Sequence, residues 1–455
     1  MIVRELAHYA AALPDRALPE AVRHAARRCI IDWFAAVICG AGHPPATLMV
    51  EALDDEMGHG SAQLIPLGLV APIRTAALIN AAAAHTMEVD DIFREGIYHP
   101  GPPVIAAALA TVQGRGHDGR RLLDAVIAGY EVSNRIARAV QPAHYDYWHT
   151  TGTIGTIGAA AATAVALGLD AEKTFHAISN SVTMAAGLQQ AFSADAMGKP
   201  LHAGHAAEAG ALAAILAEKG MTGAPGMLDG GLGFGNAMSR EVDWDAVSAS
   251  LADEFTITAM TQKNHTCCGH TFAAIDAVLA LKAEHGLTSG DITGMFVATY
   301  GKAVELCGNA DPQTVYEAKF SLPYAMAVAL VTGAARFDAF RDERLRDPEI
   351  RNLMARVTTV VDAEADAAFP GRRSATVRIE TVDGRSLEHY APTRKGDPDN
   401  PLSDDELVDK YRELATPVID EVSAEALLAD LWRIDEIADL TRLPYQGVRG
   451  RRQLG

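Results

Sequence analysis

Ala375–Pro392, ATVRIETVDGRSLEHYAP, alternates apolar and polar side chains and carries Asp383-Gly384 between its two halves. Period-two alternation suits a half-buried strand, and Asp-Gly supplies the positive φ that a tight hairpin turn needs. DITGMFVATY (291–300) and ARVTTVVDAEAD (355–366) have the same alternation. Between and before these strands lie helical patterns, GHTFAAIDAVLALKAEHG (269–286) and SLPYAMAVALVTG (321–333). Residues 263–402 are therefore expected to form an α+β module.

On either side of that module the chain reads as helix. PEAVRHAARRCIIDWFAAVICGA (19–41) places apolar residues at three-to-four spacing behind a proline suited to a helix start. DGRRLLDAVIAGYEVSNRIARAV (118–140) repeats the period, and GTIGTIGAAAATAVALGLD (152–170) is a small-residue helix able to pack its backbone closely. HAAEAGALAAILAEKG (205–220) ends on a glycine cap. After a polar, proline- and aspartate-rich link, SAEALLADLWRIDEIADLTRLP (423–444) is helical again. The expected fold is mainly α: a large helical domain of residues 1–262 and 403–455, interrupted by the smaller α+β domain 263–402, with a small-molecule cleft between the two.

Composition narrows the partners. The 455 residues carry a formal net charge of -19, with 49% hydrophobic and 21% charged residues. Such a surface repels phosphate backbones and anionic lipid, so neither nucleic acid nor membrane is expected as a partner. An anionic substrate would need a local cationic pocket. Cys29, Cys39, Cys267, Cys268 and Cys307 show no paired spacing, which suggests reduced thiols in a cytoplasmic protein. The start, MIVRELAHYAAALPD, lacks the apolar run of a secretory signal.

Five segments join glycine, a charged or histidine side chain and the start of an apolar helix. HTMEVDDIFREGIYHPGPPVIAAALA (85–110) holds Glu88, Asp90, Asp91 and His99. Adjacent carboxylates can act as a base or orient a histidine that does, and they serve equally well as helix caps. In YWHTTGTIGTIG, His149 precedes a helix N-terminus, where free N–H groups favour an anion. GKPLHAGHAAEAG offers Lys199, His202 and His205, and a lysine there would supply the cationic pocket. KNHTCCGHTF holds Lys263, His265, Cys267, Cys268 and His270. Adjacent cysteines without a second pair do not make a zinc pattern, so no metal is expected. EAKFSLPYAMAVAL adds Lys319, Ser321 and Tyr324, the tyrosine being placed either to bond a ligand or to pack. Nucleotide-binding, Gly-x-Ser-x-Gly and His-Glu-x-x-His motifs do not occur.

EVDDIFREGIYHPGPPVIAAALA, GYEVSNRIA, HTTGTIGTIGAAAA, GKPLHAGHAAEAGALAA, CCGHTFAAIDA and EAKFSLPYAMAVALVTG, in this order across nearly the whole chain, resemble the MmgE/PrpD family. That family includes 2-methylcitrate dehydratase, cis-aconitate decarboxylase and iminodisuccinate epimerase. The resemblance implies a helical domain with a smaller lid domain, a homodimer, and catalysis without metal or organic cofactor. It places Asp90 and Asp91 on the family's paired aspartates and His99 on the histidine of its His-Pro turn. His149, Lys199 and Tyr324 fall on the histidine before the Thr-Gly helix, the lysine of Lys-Pro-Leu-His and the tyrosine of the lid helix. Three positions depart from the pattern. Glu88 stands where aspartate is usual, Ile92 where threonine is common, and Cys268 where the decarboxylase has its histidine, with His270 two residues on.

The implied chemistry is proton abstraction next to a carboxylate of a small di- or tricarboxylic acid. Lys199 and His149, with Glu88, Tyr324 and Cys268 as further substrate contacts, would hold the acid. His99, oriented by Asp90 or Asp91, and His270 are the candidate base and acid. A hydro-lyase resembling 2-methylcitrate dehydratase is the expected reaction, with an epimerase, isomerase or decarboxylase of the same family as alternatives. An inactive member acting through protein interactions is the alternative of another class.

Overall fold

The computed structural model describes residues 1–192, 196–251 and 253–445. The chain forms two compact units, one of Met1–Met260 with Ser403–Gly455 and the other of Thr261–Leu402. The architecture is mainly α, with the strands gathered in small sheets. No helix among the described residues is long and apolar enough to cross a membrane.

In the first unit the helices Ile73–Thr86, Gly101–Arg115, Thr150–Ala166 and Gly198–Glu218 pack on one another. Small side chains permit this closeness: a Cβ on Gly210 would sit 2.5 Å from the Thr156 carbonyl oxygen. Thr150–Ala166 thus buries every residue and Gly101–Arg115 nearly every one, and dispersion between tightly packed backbones replaces the bulky side chains the composition lacks. Gly119–Val140, N-capped by the Asp118 side chain, lies against Thr150–Ala166. After the second unit the chain returns through a Ser403/Glu406 capping box into Asp404–Ile419, which packs on Glu20–Gly40. The short hairpin Ala62–Leu64/Leu69–Ala71 carries no sequence signal, because its strands are too brief for a period to show.

The second unit holds a four-stranded sheet in the order Val357–Val361, Ile292–Thr299, Ala375–Thr381, Ser386–Ala391. The first pair is parallel and the others are antiparallel. The hairpin turns at Asp383-Gly384, where Gly384 takes φ 85°. Met295, Val297, Val377 and Ile379 fill one face and pack with Phe272–His285 and Leu322–Thr332.

Candidate active site

The loop between Ile73–Thr86 and Gly101–Arg115 carries the carboxylates. It enters with Glu88 at φ 60°, a left-handed conformation uncommon for a side chain of this size and costing on the order of 1 kcal/mol. A short antiparallel contact, with the Phe93 N–H donating to the Tyr98 carbonyl at 2.7 Å, folds the loop back and returns His99 to Asp90. Pro100, Pro102 and Pro103 then fix the entry into the next helix.

The two adjacent aspartates part ways. Asp91 accepts from the Gly101 N–H at 2.9 Å and from the Tyr130 hydroxyl at 2.7 Å, so it caps the helix. Gly101 is required there, because a Cβ would lie 2.6 Å from Asp91 Oδ1. Burial, joined by the nearby Asp32 charge, pushes the Asp91 carboxyl up to about 8. Asp90 is the carboxylate that meets the histidines. Its Oδ2 lies 2.8 Å from His85 Nδ1 and 2.9 Å from His99 Nδ1.

Lys199, in the first turn of Gly198–Glu218, pairs with Glu88, and both side chains are 5% exposed. His149 is the N-cap of Thr150–Ala166 and stacks on His85 with ring centroids 5.5 Å apart. Its Nδ1 lies 3.1 Å from Nδ1 of His202. Burial drives His85 down to about 3 and His149 well below the usual imidazole range, so both are neutral at physiological pH. Helices also begin at His149–Thr150 and at Gly198–Lys199, and their positive ends lie with the Lys199 ammonium in this part of an acidic protein. The Gly101 helix adds no free N–H, because Asp91 takes that of Gly101 and Pro102 and Pro103 have none.

From a distant part of the sequence, Lys410 donates to Asp32 at 2.5 Å and to the Val89 carbonyl at 2.6 Å. No signal near residue 410 marked this lysine beforehand, because its role depends on where Asp404–Ile419 docks. His85 also went unassigned, although it opens the acidic segment; a histidine at the end of an alanine helix has no distinctive pattern.

His85, Asp90 and His99 bring donor atoms within 4.8 Å of one another, close enough to consider a divalent ion. Both imidazole nitrogens, however, approach one and the same carboxylate oxygen at hydrogen-bond or ion-pair distance. The positive charge of Lys199 also acts on His85. The trio therefore fits an acid–base arrangement better than a cation site.

In the second unit His270 is 7% exposed, with Nδ1 2.8 Å from the Tyr300 hydroxyl. The Cys268 N–H donates to the Lys319 carbonyl, and Cys268 itself is 8% exposed. Tyr324 is wholly buried in the core of this unit, where its hydroxyl donates to the Ala339 carbonyl at 2.7 Å. Thus Glu88, Asp90, His99, His149 and Lys199 gather in the first unit, with Asp91 behind them as a cap. Cys268, His270 and Tyr324 belong to the second.

The MmgE/PrpD N-terminal domain matches residues 4–247, and the MmgE/PrpD C-terminal domain matches residues 265–434. The chain belongs to the MmgE/PrpD family. It is 26% identical to the cis-aconitate decarboxylase-like protein oryM of Aspergillus oryzae, over 97% of this chain and 96% of that one. It is 27% identical to a cis-aconitate decarboxylase of Aspergillus terreus, over 97% and 95% of the two chains. The cis-aconitate decarboxylase of Mus musculus is 26% identical over 82% of this chain and 78% of its own. Similarity to these family members spans both units, including the segment that holds Glu88, Asp90 and His99.

Proposed function

We propose that the protein is a cofactor-independent acid–base lyase acting on a small di- or tricarboxylic acid, with His99 as the group that exchanges a proton with the carbon next to a carboxylate. The observation that carries this reading is the placement of His99 Nδ1 2.9 Å from Asp90 Oδ2, beside the Glu88–Lys199 pair. A carboxylate at ion-pair distance from Nδ1 stabilises the imidazolium that forms when His99 takes up a proton. When His99 removes the proton, the electron pair passes into the adjacent carboxylate. An ammonium has three donors, so Lys199 can face Glu88 and the substrate together. With the helix N-termini it stabilises the enolate-like charge.

Expulsion of a β-hydroxide, protonated as it leaves, then gives an alkene and water, the hydro-lyase outcome. Ile92, where threonine is common, and Cys268, where the decarboxylase has its histidine, weigh against the decarboxylase and the 2-methylcitrate assignment alike and leave the acid–base class in place. His270, two residues beyond the position of the decarboxylase's histidine, is the proposed second proton-transfer group. Decarboxylation of a tricarboxylate is the second reading, favoured by the decarboxylases among the relatives.

Proton NMR in D₂O distinguishes them, with citrate, 2-methylcitrate, cis-aconitate, iminodisuccinate and simple hydroxy-diacids as candidates. Loss of water with deuterium entering next to a carboxylate supports the hydro-lyase. Release of carbon dioxide supports the second reading, and exchange with inversion alone supports an epimerase. An unchanged panel removes the proposal.

A further inference from the structure

His85 lies in the last turn of the Ile73–Thr86 helix, fully buried, and the chemistry above gives it no task. Yet one oxygen of Asp90 serves two imidazoles, His85 at 2.8 Å and His99 at 2.9 Å. An ionised carboxylate only accepts, so His85 presents Nδ1–H to it. Being neutral and enclosed, His85 keeps this donor in place while His99 gains and loses a proton. Its ring is fixed between His149, stacked at 5.5 Å and 15°, and His99, edge-on at 5.0 Å.

We propose that His85 is a positioning residue of the acid–base centre: its Nδ1–H holds the Asp90 carboxylate beside His99 and, by sharing that oxygen, sets how strongly His99 retains a proton. This rests on the reading of His99 as the proton-transfer group. Among the described residues, the other charged or titratable groups around the pair include Lys199 with its partner Glu88, His149 with His202, Asp91, and Asp32 with its partner Lys410. Asp91 holds its proton up to about 8, above the acidic limb, and none of these groups is the one that bonds directly to the oxygen facing His99, as His85 does.

The sign follows from the hydrogen bond. With the donor removed, the carboxylate acts on His99 with its full charge, and the His99 imidazolium is stabilised. The acidic limb of kcat/KM, which requires neutral His99, then moves to higher pH. His85→Leu removes the donor and keeps an apolar filler. His85→Asn places an amide N–H close to the Nδ1 position and keeps the donor. A residue that merely fills space has no reason to separate these variants in this way.

The test is kcat/KM against pH for wild type and both variants, joined by NMR of histidine-labelled protein, with His99 assigned by its loss in His99→Asn. His85→Leu is expected to raise both the acidic limb and the His99 titration by about one pH unit, a tenfold change in proton affinity, with His85→Asn near wild type. Profiles and titrations that do not move in either variant overturn the proposal, as does an equal loss of kcat in both with the limb unmoved. If His85→Leu does not fold, His85→Gln replaces it, its amide lying nearer the Nε2 position, with the same shift expected. Wild-type protein that exchanges no acid defeats the functional reading, and the His99 titration still decides the role of His85.

Discussion

Lys410 Nζ lies 2.6 Å from the carbonyl oxygen of Val89, so a helix that follows the second unit pins the loop bearing Glu88 and Asp90. The same ammonium compensates the buried Asp32 carboxylate. Lys410→Met leaves that carboxylate without its counter-ion, and breaking a buried pair costs ~3–5 kcal/mol. Thermal unfolding is expected at a clearly lower temperature, with part of the loss restored by adding Asp32→Asn. Unfolding like wild type for the single variant would show that the pair does not hold the loop.

Lys199 and Glu88 separate stability from chemistry. Lys199→Met is expected to lower kcat/KM by at least ~10², the scale of a lost electrostatic stabiliser. It also takes the ammonium away from the buried Glu88 carboxylate, so the melting temperature falls. Glu88→Gln combined with Lys199→Met should recover much of the melting temperature and none of the activity. Recovery of both would remove Lys199 from the mechanism.

Asp91 links stability to pH. The unfolded chain loses this proton in the ordinary carboxylate range, whereas the folded chain holds it up to about 8. Between those limits the folded state binds more protons, so this group's contribution falls as pH rises. Asp91→Asn mimics the protonated form, its oxygen able to accept from Gly101 and its amide to face Tyr130. The stability of the Asn variant relative to wild type should increase from the ordinary carboxylate range toward about 8. A difference that stays constant with pH would contradict the assignment.

Dialysis against a strong chelator should leave deuterium exchange at the wild-type rate, and elemental analysis should find metal well below one ion per chain. Stoichiometric metal, with activity lost on chelation and restored by one ion, would instead make His85, Asp90 and His99 a metal centre.

The mainly α architecture was legible because its signals are local. Small-residue helices announce themselves by composition, and the Asp383-Gly384 hairpin by alternation around a turn pair. The acidic segment and Lys199 could be singled out because each adjoins a helix start. Which aspartate faces His99 could not, because adjacent residues diverge only once Gly101 and Tyr130 claim Asp91. Lys410 and His85 act through partners fixed by helix docking, and no sequence pattern encodes that. Tyr324 illustrates the opposite case: a residue that sequence allowed either to bind or to pack has its hydroxyl on the Ala339 carbonyl.

The most direct measurement compares wild type and His99→Asn in D₂O, following deuterium incorporation next to the carboxylate of the acid that wild type processes. Proton transfer through His99 predicts a rate lower by at least ~10² in the variant, with the fold and melting temperature kept. Exchange at the wild-type rate in a folded His99→Asn protein would contradict the account.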